Sequence, residues 1–471
     1  MGGPWKRPFN LLLTFTLLLG FPAAAIAQVI LPEPNDEATD NINLTGLPQN
    51  LLRKSEMLSD GKLHTWYEYV PTSYTGEQAV PLVVSLHGAG STGARQAQST
   101  GWHLVAERDG FIVVFPNSSS NRDVPDPANR WDTRPDGPDV EYLKALIDLL
   151  TTRYRINTSR IYMHGTSNGD MMSLAFAIRH GDMLAGLASS IGPTHPAFLD
   201  DGRGGMYRPT VALPVYQWRG EQDIIVLTPP QNVTFDADGR DEVNAFNRSL
   251  WLDVNGNDPI PEIRIRGKDN LLIFKGGKAP LLYNEVKDAP HQTETYAADV
   301  MWTELLSGYA RGPNGEIVAL GPKSPAKGDE GAVAIALGSG KAFIDNRIVT
   351  LAGSGPVLIG DSMYVPITFL SQAFGADVEK IGDGRRAVVR TPDGRTVGLA
   401  SGNAVVTVDN RVRVLDQKVL WRNGELWIPL RTVSEKLFSK NVSYHSGVAY
   451  ISDHEAELSR GVAKVLKELL K

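Results

Sequence analysis

From residue 62 to residue 311 short apolar runs alternate with amphipathic ones, a pattern that predicts strands alternating with helices. Strand-like runs fall at 64–70, 81–87, 111–116, 160–164, 184–190, 214–219 and 281–286. Helix-like runs fall near 95–108, 140–154, 168–179, 240–250 and 294–309. In the second of these, Leu143, Leu146, Ile147 and Leu150 recur at three- and four-residue spacings and share one helical face. Strands alternating with helices imply a mostly parallel sheet covered on both faces, an α/β fold. Residues 312–332 shift to Gly, Pro, Lys and Ser and read as a linker. Beyond them, at 333–453, the chain turns β-rich and repeats itself. Ile344-Asp345-Asn346-Arg347-Ile348 returns as Val408-Asp409-Asn410-Arg411-Val412, and Tyr364-Val365-Pro366-Ile367 as Trp427-Ile428-Pro429-Leu430. A short helix comes after each second motif, at 369–374 and 433–438. The two repeats predict one small β-rich domain, and 454–471 a terminal helix.

The N-terminus adds a location. Lys6 and Arg7 precede a short apolar core, Leu11 to Phe21, and Ala25-Ile26-Ala27 is a small-x-small cleavage site. Residues 1–27 therefore read as a secretory leader, followed by an N-terminal segment at 28–61, and the mature chain is expected outside the cell. The apolar core is too short to span a bilayer, which takes about 20 residues, and no later run is long enough. The chain has no cysteine, so disulfides and thiol chemistry are excluded. The formal charge of −6 becomes −8 without the leader, which argues against nucleic acid and anionic membranes as partners.

The chemistry centres on Gly165-Thr166-Ser167-Asn168-Gly169, which lies between an apolar strand and a helical run. Strand, G-x-S-x-G, helix is the setting of a nucleophile elbow, in which a strained turn holds a serine hydroxyl above the sheet. A serine attacks an ester only with a base to take its proton and donors for the oxyanion. In this kind of sheet the order along the chain is serine, acid, histidine. Of the nine histidines, His64, His87, His103 and His164 precede the serine. His180 and His195 come too soon after it, and His445 and His454 belong to the second domain. His291 remains. The acid is expected after the strand 214–219, in Gly220-Glu221-Gln222-Asp223, with Asp223 favoured and Glu221 the fallback. Leu86-His87-Gly88-Ala89-Gly90 ends a strand and offers the Ala89 N–H as one oxyanion donor, with the Asn168 N–H as the other. Trp131 and His87 are the candidates for lining the substrate pocket, and His87 is also expected to hydrogen-bond its own loop. Asp139 reads as a helix N-cap. Residues 253–258 only partly match a calcium loop and read as a turn. No motif for a cofactor or a catalytic metal is present.

With these motifs in hand, the first domain resembles the polyhydroxybutyrate depolymerase-like and feruloyl/acetylxylan esterase group of secreted α/β-hydrolases. The carriers are 86–90, Gly137-Pro138-Asp139-Val140-Glu141-Tyr142-Leu143, 160–169, 220–223 and His291. The resemblance implies a triad at Ser167, Asp223 and His291, and hydrolysis of an ester in or on a polymer. Asp170 departs from the family, which has a small residue there, as do the missing cysteines and the Ala-Pro-His-Gln sequence at His291. Asp170 and the histidine loop motivate a second reading, a polymer- or surface-binding protein whose hydrolase domain is silent. A peptidase on the same fold is a third. The second domain resembles the copper amine oxidase N-terminal-like, or stalk, domain. It implies a spacer, a dimerising stalk or an attachment module for a cell wall or polymer surface, without copper.

Overall fold

The computed structural model of the chain describes residues 47–119, 126, 128–223, 225–228, 232–234 and 237–471. The expected leader, and the start of the segment expected at 28–61, lie outside the described residues. The first domain is built on a ten-stranded sheet. Its strands are β1 (Leu51–Met57), β2 (Leu63–Tyr69), β3 (Val80–Leu86), β4 (Ile112–Pro116), β5 (Ile156–Thr166), β6 (Gly186–Ser190) and β7 (Val215–Gly220). Two short strands, β8 (Val226–Thr228) and β9 (Asn232–Thr234), form a separate hairpin. The sheet is completed by β10 (Glu262–Arg266), β11 (Asp269–Phe274) and β12 (Leu281–Val286). The strand order is β1-β2-β4-β3-β5-β6-β7-β12-β11-β10. From β4 to β12 every pair is parallel, and the outer strands are antiparallel. This is the arrangement of an α/β-hydrolase.

Alternation within each strand sorts the core into two faces. Leu82, Val84 and Leu86 of β3 join one buried cluster with helix α3 (Pro138–Arg153) and helix α4 (Asn168–His180). Val83 joins the other, with α1 (Gly93–Thr100), α2 (Trp102–Asp109) and α6 (Ala297–Glu304). Helix α5 (Ala237–Asn255) lies on the first face through Leu250 and Trp251.

Several expectations change. The single helix expected at 95–108 is two, because Gly101 takes φ 67°, a left-handed break that glycine accepts at little cost. Strands β1, β10 and β11 add to the expected set. The alternation Glu262-Ile263-Arg264-Ile265-Arg266 carries the signal for β10, since Ile263 and Ile265 are buried. Within the expected linker, β14 (Ile317–Ala319) pairs with β13 (Tyr309–Arg311). Residues 253–255 are the last of α5, so the turn expected at 253–258 begins only at Gly256.

The second domain holds three antiparallel sheets. Its repeats meet across the centre of one of them. Strand 362–366 pairs with strand 425–429, placing Val365 opposite Ile428. The short helices are α7 (Phe369–Phe374) and α8 (Leu430–Phe438). Each Asp-Asn pair forms a hairpin turn in which both residues have positive φ, 48° and 60° at Asp345 and Asn346, 48° and 61° at Asp409 and Asn410. That is the geometry of a type I′ turn, which Asn and Asp tolerate.

The last helix, α9 (Arg460–Leu469), does not trail from the second domain. Its buried face of Val462, Ala463 and Leu466 falls in one cluster with Trp251, Phe274 and Tyr283 of the first domain and Ala334 and Tyr450 of the second. The β-rich domain is therefore inserted between the sheet of the first domain and a helix that returns to it.

Candidate active site

Strand β5 runs into Ser167, which takes φ 56° and ψ −118° before α4 begins. A non-glycine residue here is strained, and the surroundings explain why it stays. A Cβ on Gly165 would run into the backbone of Gly169, and a Cβ on Gly192 into the Ser167 carbonyl. A Cβ on Gly169 would collide with the Leu86 and His87 carbonyls at the end of β3. The Ser167 N–H donates to the Ser190 carbonyl at 2.8 Å. Gly169→Ala is accordingly expected to cost about 1–3 kcal/mol through overpacking and to displace Ser167. Thermal unfolding and p-nitrophenyl acetate turnover, measured together, check both effects.

His291 lies in the loop after β12, and Asp223 in the turn after β7. His291 Nε2 is 2.9 Å from Ser167 Oγ, and His291 Nδ1 is 2.9 Å from Asp223 Oδ2. A carboxylate only accepts, so the proton sits on Nδ1 and Nε2 accepts from the serine hydroxyl. The two turns touch. A Cβ on Gly220 would collide with the carbonyls of Ala289 and Pro290, and the Gln222 N–H donates to Ala289 O at 2.8 Å. Glu221 points elsewhere. Its Oε2 accepts from the Asp288 N–H at 2.9 Å and from Lys287 Nζ at 3.3 Å. Between the two carboxylates considered for the acid, the structure brings only Asp223 to the imidazole.

The loop Leu86–Gly90 passes directly beside the serine: a Cβ on Gly88 would be 3.4 Å from Ser167 Cβ. Asn168 is the first residue of α4, so its N–H has no partner within the helix. Among the described residues the Ala89 N–H likewise has no protein acceptor. Both N–H groups are thus left open where this loop and the start of α4 meet the serine.

Trp131 and His87 do not line open space. Both are buried, at 4% and 0% exposure. The Trp131 indole N–H donates to His87 O at 2.8 Å, and its backbone N–H donates to Asn168 Oδ1 at 2.8 Å. His87 Nδ1–H donates to Gly88 O at 2.7 Å, while Nε2 accepts from the Ser118 N–H at 3.2 Å. Burial pushes its pKa down to about 4, so it stays neutral. The expected substrate contact by Trp131 and His87 gives way to bracing of the loop that carries Ala89. Asp139 is not an N-cap either: Gly137 holds that place. The Asp139 carboxylate is buried and accepts from the N–H groups of Ser119 and Asp132. Burial raises its pKa.

Two buried polar groups beneath the elbow join the site without a forecast from the sequence. His164 bridges Ser85 Oγ at 2.9 Å and Ser190 Oγ at 3.1 Å, and burial lowers its pKa to about 3. Arg219 donates to Asp170 Oδ2 at 3.1 Å, to Ser189 O at 3.0 Å and to Trp218 O at 2.9 Å. Asp170 also accepts from the Gly192 N–H at 2.9 Å. Burial raises the Asp170 pKa to about 6, against the pull of Arg219. A lone arginine in the apolar strand before a G-x-x-D turn is the sequence signal for this pair. Among the described residues no cluster of His, Asp or Glu could hold a metal, and no helix is long and apolar enough to cross a membrane.

Residues 65–199 match the family model "Esterase PHB depolymerase", and residues 324–389 and 356–449 match "Copper amine oxidase N-terminal domain". Feruloyl esterase B of Neurospora crassa is 30% identical over 157 residues, 33% of this chain and 52% of that protein. Poly(3-hydroxyalkanoate) depolymerase C of Paucimonas lemoignei is 25% identical over 242 residues, 43% of this chain and 56% of that protein. The chain thus spans about half the length of these curated relatives. The solved acetyl xylan esterase from Aspergillus awamori aligns with a TM-score of 0.41 at 16% identity, covering 53% of this chain and 97% of that one. Residues 65–199 are thus similar to esterases of the PHB depolymerase type, and a stretch placed before the last helix is similar to the copper amine oxidase N-terminal domain.

Proposed function

We propose that the protein is a secreted serine carboxylic-ester hydrolase. The observation that carries this reading is the unbroken run of hydrogen bonds from Ser167 Oγ through His291 to Asp223, at 2.9 Å each. Ser167 Oγ attacks the ester carbonyl as its proton passes to His291 Nε2. Asp223 holds the imidazole in the Nδ1–H tautomer and stabilises the imidazolium. The N–H groups of Ala89 and Asn168 receive the oxyanion, and α4 directs its positive end at the same point. Collapse expels the alcohol, which takes the proton from His291, and leaves an acyl-enzyme. Water, deprotonated by His291, then releases the acid and restores Ser167.

The features that favoured a silent hydrolase lose their weight. Asp170 is tied to Arg219 and Gly192 beneath the elbow instead of crowding the hydroxyl. The unusual Ala-Pro-His-Gln loop still delivers the imidazole to the serine.

For the substrate we favour feruloyl or acetyl esters of polysaccharide, with a polyhydroxyalkanoate polyester second. The second domain serves as a spacer or as an attachment to a cell wall or polymer surface. The test compares the mature chain on p-nitrophenyl acetate, feruloylated xylan and polyhydroxybutyrate film. Release of ferulate or acetate is expected to exceed film clearing. Film clearing without action on xylan reverses the order of substrates, and absence of ester turnover on all three overturns the reading.

A further inference from the structure

The turn that carries Asp223 is held from outside its own domain segment. Glu221, two residues before Asp223, accepts the Arg460 backbone N–H on Oε1 at 2.6 Å. Glu285, on the neighbouring strand β12, accepts from Ser459 Oγ at 2.5 Å and from the Gly461 N–H at 2.7 Å. The first turn of α9 thus commits its free N–H groups to two carboxylates at the carboxyl ends of β7 and β12, where the helix dipole favours negative charge. A second contact runs through α5. The buried Arg240 guanidinium donates to the carbonyls of Glu221 and Asp223, bracketing the turn, and to Asp241 Oδ1. Asp241 in turn faces Arg460 Nε at 3.4 Å and Lys464 Nζ at 3.7 Å of α9.

We infer that α9 is a positioning element of the hydrolase site. Through Glu221 and through Asp241–Arg240 it fixes the turn that aims Asp223 at His291. The inserted β-rich domain leads straight into this helix, from the strand at 448–452 to Ser459. Glu221, Arg240 and the Arg460 N–H are positioning groups and touch no substrate. The inference rests on the esterase reading for its kinetic consequence, but its structural core does not.

One substitution isolates the contact. Arg460 is the first residue of α9, where proline is well accepted, and Ser459 already has the extended backbone (φ −81°, ψ 160°) that a residue before proline needs. Arg460→Pro deletes the N–H bond to Glu221 and keeps the helix. Arg460→Ala deletes only the side chain. Both are made in the full mature chain and checked by circular dichroism. For Arg460→Pro we expect kcat on p-nitrophenyl acetate to fall about 10- to 100-fold with KM unchanged, the scale of a small misplacement. The downfield proton signal of the His291 Nδ1–H bonded to Asp223 is expected to weaken or vanish. Arg460→Ala loses the side-chain contact to Asp241 as well, but Lys464 still faces that carboxylate, so this variant is expected to keep the signal and to lose less rate than Arg460→Pro. A wild-type rate and a wild-type signal in Arg460→Pro overturn the inference. Should Arg460→Pro fail to fold, Glu221→Ala and Glu221→Gln replace it. Loss of the signal in the alanine variant, with retention in glutamine, upholds the inference, and retention in both overturns it. The proton signal needs no substrate, so a wild type without ester turnover sinks the esterase reading and leaves this test intact.

Discussion

Ser167→Ala is expected to lower kcat on p-nitrophenyl acetate by at least about 10⁴-fold, and His291→Ala by a similar factor. The hydroxyl oxygen and the imidazole nitrogen are 2.9 Å apart and act on one proton. Once either is gone, the other has nothing to activate. The double variant should therefore be hardly slower than each single one, with the residual rate left to the two N–H donors and to substrate binding. Additive losses would mean that the two residues work independently and would dismantle the triad. Unchanged turnover in Ser167→Ala would place the activity elsewhere in the molecule. Neither substitution should disturb the fold, because neither side chain is part of the buried clusters.

Arg219→Met is the second large effect, and it falls on stability. Asp170 is buried and answers to Arg219 and the Gly192 N–H. Removing the guanidinium leaves a buried carboxylate without its counter-charge, a loss of about 3–5 kcal/mol where the carboxyl is ionised. The pH dependence has a definite sign. The folded-state pKa of Asp170 is raised from 3.8 to about 6 by burial. This group's favourable contribution is complete below the unfolded value and is lost as pH rises through about 6. In the wild type that loss amounts to about 3 kcal/mol, at 1.36 kcal/mol per pKa unit. Without Arg219 the ionised form is disfavoured further, so the gap between variant and wild type should widen from pH 5 to pH 8. Denaturant unfolding of both proteins at the two pH values measures it. A gap that is flat across this range would mean that Asp170 is not the group responding. Because Asp170 sits three residues past the nucleophile, loss of turnover is expected to track the loss of stability.

The local parts of this site were legible in the chain. G-x-S-x-G between an apolar strand and a helix identified Ser167 because the elbow is made by neighbours in sequence. The order serine, acid, histidine left one histidine out of nine, and the structure places its ring on the serine. Period-two and period-3.6 patterns located the central strands and main helices, since those periods are set by local backbone geometry. The Asp-Asn repeats marked two related β-rich halves for the same reason.

Other features depend on segments far apart in the chain. Trp131 looked like a pocket residue because an aromatic near an elbow has two possible fates. Which one it takes depends on whether the loop folds inward, and here its N–H groups are used by Asn168 and His87. Asp170 looked like an intruder until β7 brought Arg219 beneath it, 49 residues later. Glu221 and Asp223 looked alike in the chain, but the structure turns Glu221 towards Asp288, Lys287 and an Arg460 N–H that lies 239 residues further on, and puts only Asp223 on the imidazole. The amino-acid sequence by itself determined the candidate nucleophile and base, the sheet class and the internal repeat, all of which rest on local pattern and chain order. Only the tertiary structure decided which buried charges pair, which aromatic braces a loop and which helix closes the site, because those outcomes depend on which distant surfaces meet when the sheet folds.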